Sequence, residues 1–185
     1  LAFLGDSITQ NWEKAGAPVW KKFYGPRKAT NYGFGGDSTQ HVLWRLDHGE
    51  FDGISPKVCV LLIGTNNARH SESEPADTAA GVRAILDRLA AKSPATKVLL
   101  LAVFPRGSKP DGKLNEQNDK LKQVNAIIAK LDDGKHVFFI DIGGKFPVTD
   151  GKLDAAVMPD FLHLSAKGYE IWADAIAPKL AQLMK

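Results

Sequence analysis

Leu1-Ala2-Phe3-Leu4-Gly5-Asp6-Ser7 opens the chain with four apolar residues that run straight into Gly-Asp-Ser. An apolar run without alternation predicts a strand buried on both faces, the kind found inside parallel sheets. Glycine permits a sharp turn where the strand stops, which presents Ser7 at the carboxyl edge of the sheet, where open α/β folds build their sites. Taken alone, Asp6-Ser7 also reads as a cap or turn leading into the next helix. The reading therefore depends on what the rest of the chain brings to the same place.

The pattern of strand, glycine and polar residues recurs. After a short, broken helix carrying Trp12, Val19, Trp20, Phe23 and Tyr24, a second strand over 29–32 ends in Gly33-Phe34-Gly35-Gly36. Three glycines in four residues let backbone N–H groups approach an anion closely, before Asp37 or Ser38 caps a helix with Val42, Leu43 and Leu46. A third strand over 58–63 ends in Gly64-Thr65-Asn66-Asn67, a fourth over 97–104 in Pro105-Arg106-Gly107, and a fifth covers 137–141. Amphipathic helices follow the later strands: one from Pro75 with Ala79, Val82, Ile85, Leu86 and Leu89, one with Leu121, Val124, Ile127, Ile128 and Leu131. After an irregular stretch, Ser165 caps a last helix whose inward stripe is Tyr169, Trp172, Ala173, Ile176, Leu180 and Leu183, with a kink expected at Pro178. Five apolar strands alternating with helices imply right-handed crossovers and a parallel sheet covered on both faces. The predicted fold class is α/β: a three-layer α/β/α sandwich with a five-stranded parallel sheet in the flavodoxin-like order 2-1-3-4-5, one domain over 1–185. In that order Ser7, the 33–36 turn and Asn66 surround one crevice.

Bulk composition narrows the function classes. The chain has 185 residues, a 44% hydrophobic and 24% charged make-up and a formal net charge of +3, values ordinary for a globular domain. Lys and Arg do not cluster with aromatics, so nucleic acid is not an expected partner. No apolar run reaches the roughly 20 residues of a membrane span, and the chain is expected to be soluble. The single cysteine, Cys59, lies inside an apolar run and reads as a core residue. Leu1 opens directly in a strand without an initiator Met, so an upstream signal or domain is compatible with the sequence, and the compartment, cytoplasmic or exported, is left open.

The chemistry comes from the far end of the chain. A serine hydroxyl becomes a useful nucleophile when an imidazole accepts its proton, and a carboxylate fixes that imidazole's tautomer. Asp160-Phe161-Leu162-His163 supplies both, three residues apart in a turn just before the last helix. Acyl transfer also needs donors for a developing oxyanion, and the Ser7 N–H, a glycine N–H of the second loop and the Asn66 amide are candidates from three adjacent strand ends. The arrangement requires no metal and no cofactor.

These segments resemble the SGNH hydrolases, the GDSL-type esterase and lipase superfamily. Gly5-Asp6-Ser7 matches the nucleophile block, with Ile8 in place of the usual leucine; Gly36 matches the glycine block, Gly64-Thr65-Asn66-Asn67 the asparagine block, and Asp160 to His163 the acid and base block. Within the superfamily, Gly35-Gly36-Asp37-Ser38-Thr39, His41-Val42-Leu43-Trp44-Arg45-Leu46 and Pro105-Arg106-Gly107 resemble the catalytic subunits of the intracellular platelet-activating factor acetylhydrolase. The resemblance implies Ser7 as nucleophile, His163 as base, Asp160 as its orienter, and the Ser7 N–H, Gly36 and Asn66 as oxyanion hole. It further implies short acyl groups, acetyl above all, and pairing as a homodimer. An acetylated carbohydrate or other small acetyl ester is the expected substrate, with an acetylated phospholipid as the alternative. Arg106 and Trp44 are candidates for lining the mouth of the site, and His41, His48, His70 and His136 receive no role.

Two other classes remain distinct from this reading. A metal-dependent phosphoesterase would use Asp6, Asn66, Asp160 and His163 as ligands, but clustered ligands at known spacing are lacking. A catalytically silent module would bind acylated glycans or partner proteins through the same crevice.

Overall fold

Phe3 and Leu4 are both fully buried, yet they belong to two different cores. That alternation organises the molecule. The computed structural model describes residues 1–69 and 73–185, and His70 lies outside the described residues. Five parallel strands, β1 (Ala2–Gly5), β2 (Thr30–Gly33), β3 (Val58–Leu62), β4 (Lys97–Leu101) and β5 (Val137–Ile140), form one sheet in the order β2-β1-β3-β4-β5, as the sequence predicts.

One face of the sheet presents Phe3, Val58, Val60, Leu62, Leu99 and Leu101 to α1 (Ser7–Gln10), α2 (Ala17–Phe23) and α6 (Ala166–Leu183). Aromatic rings dominate that core: the Phe3 ring centroid lies 4.7 Å from Tyr24 and 6.2 Å from Trp172, and Trp12 lies 4.4 Å from Tyr169. The other face presents Ala2, Leu4, Cys59, Leu61, Val98 and Leu100 to α3 (Thr39–Asp47), α4 (Pro75–Lys92) and α5 (Glu116–Ile128). Burial pushes the Cys59 thiol's pKa up, and the residue is a core residue as expected. Period-two alternation between two buried faces is why the strands read as continuous apolar runs.

Two local expectations change. The fourth strand stops at Leu101 rather than continuing to Phe104, because its partner β5 ends at Ile140, the residue paired with Leu101. Beyond that point α5 takes over the ladder. Asn125 accepts the Val103 N–H at 2.8 Å and donates to the Val103 carbonyl at 3.0 Å, and Asn118, two helical turns earlier, treats Arg106 in the same way. The irregular stretch after β5 contains a small antiparallel hairpin, β6 (Val148–Thr149) and β7 (Lys152–Leu153), closed by Asp150 and Gly151 with φ of 51° and 72°. Asp-Gly between two short extended runs is the signal for such a turn. Pro178 lies inside α6, which runs on to Leu183. Among the described residues no helix is long and apolar enough to cross a membrane.

Asn125→Ala would leave the buried Val103 N–H and carbonyl without their partners. We expect a loss of about 2–4 kcal/mol in unfolding free energy, measured by urea denaturation as a lower midpoint at unchanged slope. A change no larger than that of an exposed Asn→Ala control would show that the amide does not carry this part of the fold.

Candidate active site

Gly5 pairs with Gly33 on one side and Leu62 on the other, so β1, β2 and β3 release their chains at one level. A Cβ at Gly5 would collide with the Leu62 carbonyl oxygen and the Thr9 side chain, which makes glycine a requirement for the close approach of β3 and α1 there. Asp6 then caps α1: its Oδ1 accepts the Ile8 N–H at 2.9 Å and its carbonyl the Gln10 N–H at 2.8 Å. From the last helix, the Tyr169 hydroxyl donates to the Ile8 carbonyl at 2.6 Å. Ser7 is thereby held as the first residue of a helix, where a backbone N–H has no acceptor within the helix.

His163 reaches this serine from 156 residues away in the chain, with Nε2 2.9 Å from Ser7 Oγ. Its Nδ1 lies 2.7 Å from Asp160 Oδ2. An ionised carboxylate only accepts, so Nδ1 carries the proton and Nε2 is left as the acceptor facing the hydroxyl. The other Asp160 oxygen accepts the N–H groups of His163 at 2.7 Å and Leu162 at 3.1 Å. Partial burial works against the charged form of Asp160, but these hydrogen bonds outweigh it and hold its pKa below the ordinary value. Phe161, between the pair, takes the left-handed conformation with φ of 61°, which turns the chain so that both side chains share one side.

Asn66 and Gly36 are linked through Asp37. The Asn66 amide donates to the Asp37 carbonyl at 2.8 Å, which uses one of its two N–H groups and orients the other. The Asp37 N–H closes the turn on Phe34 at 3.3 Å, with Gly36 at φ 84°, a conformation that favours glycine. From outside, Arg45 braces this turn by an ion pair to Asp37 at 2.9 Å, another to Glu50, and a guanidinium 4.5 Å from the Phe34 ring centroid. Asn67 faces away from the crevice, and its Oδ1 accepts the Thr39 N–H at 3.1 Å at the start of α3.

Ser7, His163 and Asp160 thus form one hydrogen-bonded chain, with Gly36 and Asn66 beside each other at the neighbouring strand ends. The two mouth candidates differ in exposure. Arg106 is only 9% exposed, its guanidinium drawn inward onto Thr65. Trp44 is 61% exposed, about 200° around α3 from the buried Val42 by helical geometry, and it stacks on His48 at 4.1 Å. The remaining described histidines have structural contacts: His41 Nδ1 accepts the Ser38 N–H at the cap of α3, and His136 lies 3.7 Å from Asp133 as an exposed pair. A groove of about 370 Å³ opens beside His163 and Asp160, lined also by Asn11, Lys14, Ala15, Pro159 and Leu164.

Residues 3–171 match the model of the GDSL-like lipase/acylhydrolase family. The chain is 36% identical over 185 residues to the alpha2 subunit of human platelet-activating factor acetylhydrolase IB, covering 100% of this chain and 77% of that protein. Among solved structures it is similar to a GDSL-like lipase from Bacteroides thetaiotaomicron, at TM-score 0.81 and 20% identity over 98% of this chain and 87% of the other. It is also similar to Est24, a carbohydrate acetylesterase from Sinorhizobium meliloti, at TM-score 0.68 and 21% identity over 98% of each chain.

Reasoning from sequence missed the state of Asp6. The carboxyl is 1% exposed, and its Oδ2 has no hydrogen-bond partner among the described residues. Burial pushes its pKa up to about 7, Asp37 adds to the rise, and the Ile8 N–H and Arg106 oppose it. An acid whose pKa is raised on folding contributes stability that is complete below its unfolded value and lost as pH rises through the folded one. Asp6→Asn keeps an oxygen for the Ile8 N–H and removes this titration. Its melting temperature relative to wild type should therefore climb between about pH 4 and pH 7 and level off above. Thermal melts across that range check it: a flat difference would mean that folding leaves the Asp6 pKa at its ordinary value, and a difference still climbing well above pH 7 that the carboxyl stays protonated there.

Proposed function

Given that the chain belongs to the GDSL-like lipase/acylhydrolase family and is a carboxylic ester hydrolase, we propose that it cleaves short-chain, acetyl-type esters through an acyl-enzyme on Ser7. The observation that carries this reading is the hydrogen-bonded chain Ser7 Oγ, His163 Nε2, His163 Nδ1, Asp160 Oδ2. Ser7 Oγ attacks the acyl carbon as its proton passes to His163 Nε2. The carbonyl oxygen, now an oxyanion, is met by the N–H groups of Ser7 and Gly36 and by the second N–H of Asn66. Collapse of the intermediate breaks the bond to the alcohol, which leaves with the proton from His163. Water then repeats the sequence on the acyl-enzyme and regenerates Ser7. Asp160 stays ionised throughout and stabilises the transient imidazolium.

The substrate we favour is an acetylated carbohydrate or another small acetyl ester. The leaving alcohol has to lie against the imidazole that protonates it, and the His163 side chain keeps 31% of its exposure, which leaves room for a polar alcohol in contact with water. Likeness in fold to a carbohydrate acetylesterase is consistent with this. The 36% identity to an acetylhydrolase of platelet-activating factor favours a second reading, an acetylated phospholipid.

Ser7→Ala should abolish hydrolysis of an aryl acetate while leaving the thermal melt unchanged, and an organophosphonate should add one adduct, on Ser7, by mass spectrometry. Full turnover by Ser7→Ala would end the acyl-enzyme reading. Asn66→Ala should lower kcat by about 100–1000-fold, which steady-state kinetics measures directly. A panel of acetylated sugars, acetylated phospholipid and aryl esters of rising acyl length separates the two substrate readings.

A further inference from the structure

Arg106 is buried among groups that belong to both sides of the crevice. Its backbone N–H donates to Asn118 Oδ1 at 3.0 Å, and its carbonyl accepts from the Asn118 amide. Its Nη1 donates to the Thr65 carbonyl at 3.1 Å and the Thr65 hydroxyl at 3.3 Å. Thr65 is itself buried and immediately precedes Asn66. On the other side, the N–H of the adjoining Gly107 donates to the Phe161 carbonyl at 2.8 Å, and Phe161 is the left-handed residue between Asp160 and His163. One dipeptide therefore touches the loop of the amide donor and the loop of the acid–base pair.

Packing alone does not account for an arginine here. Desolvating a guanidinium costs several kcal/mol unless its charge is compensated, and an apolar side chain would fill the same space without that penalty. Its Nε has no partner among the described residues. Burial lowers the Arg106 pKa and Arg69 acts in the same direction, while Asp6 and Asp160 oppose both. Those two carboxyls belong to the residues beside the Ser7–His163 contact, and they offset the burial of the cation only in part.

We propose that Arg106 is a positioning residue for ester hydrolysis, its guanidinium clamping Thr65 while the Gly107 N–H holds Phe161, so that the distance between Asn66 and the Asp160–His163 pair is fixed. This rests on the Ser7 acyl-enzyme reading above. At 9% exposure, Arg106 acts through these neighbours rather than by touching substrate, so its loss should act on kcat and spare KM.

The test compares Arg106→Gln and Arg106→Lys with wild type in aryl acetate kinetics, in the rate of Ser7 phosphonylation and in thermal melts. Arg106→Gln should fold and lose about ten- to a hundredfold in kcat, the range produced by displacement of reacting groups on the order of 1 Å. Its KM should stay within about threefold, the signature of an interaction lost in the transition state alone, and phosphonylation should slow in proportion. Arg106→Lys should fall between, since an ammonium keeps the charge but not the planar fork. Wild-type kcat in Arg106→Gln, or a change confined to KM, overturns the proposal. If Arg106→Gln alone fails to fold, Arg106→Lys decides by the same criteria, and failure of both to fold makes the residue structural only and likewise overturns it. Active Ser7→Ala would remove the underlying reading and this proposal with it, whereas unchanged Arg106 variants beside an inactive Ser7→Ala remove the positioning role alone.

Discussion

The parallel register that sets Gly5 opposite both Gly33 and Leu62 is the constraint on which the site depends. Parallel strands joined by helices all point the same way, so their carboxyl ends gather at one edge. Because β1 lies between β2 and β3, the three loops that leave this edge are forced into contact before any side chain is chosen. Slipping β1 by one residue would exchange Phe3 and Leu4 between the two cores, each of which is closed around its own set of side chains. Core packing therefore fixes the height at which Ser7 emerges.

Holding those loops requires polar groups in places that water does not reach. The fold meets the need with side-chain amides acting as substitute backbone. Asn125 and Asn118 each offer an acceptor and a donor to one residue beyond the end of β4, and Asn67 ties the asparagine loop to the start of α3. Asn31 does the same between β2 and α1, donating to the Thr9 carbonyl at 3.1 Å and accepting the Gly33 N–H at 2.9 Å. An amide is suited to this because it pairs with an N–H and a carbonyl at once and carries no charge to desolvate. Ionisable groups serve the same loops as well: Asp37 and Arg45 at the glycine turn, Asp6 before Ser7, and Arg106 against Thr65.

Sequence made the layers legible because burial on both faces leaves an unmistakable apolar run; Ser7 and Asn66 stand just past the ends of such runs, and Asp160 and His163 just before the apolar stripe of the last helix. It did not reveal where β4 stops, since that depends on asparagines of a helix further along the chain. Nor did it separate Arg106, turned inward onto Thr65, from a residue at the mouth of the crevice: an arginine after a strand reads the same in either case until its neighbours are known. The β6–β7 hairpin was readable from Asp150-Gly151 and was overlooked because only two residues flank the turn on each side. For Trp44 the helical phase relative to Val42 and Leu46 foretells an outward-facing ring, and the ring is exposed.

The Asn66 loop and the acid–base loop differ in their access to water, and the difference suits the chemistry proposed for them; the Gly36 turn, by contrast, is exposed. Asn66 is 7% exposed, whereas the side chains of His163 and Asp160 retain 31% and 38% of their exposure. Hydrogen bonds to a developing oxyanion gain strength where water is excluded, because the local dielectric is low and the donors need no reorganisation. Proton transfer makes the opposite demand: His163 has to meet first a leaving alcohol and then an incoming water, so its side of the crevice must be open. A site closed equally on both sides would strengthen the oxyanion contacts but obstruct deacylation, and one open on both would admit water while weakening the donors. The buried Asn66 loop and the half-exposed acid–base loop answer these demands separately, and the dipeptide Arg106-Gly107, which touches both, lets them differ in exposure without drifting apart.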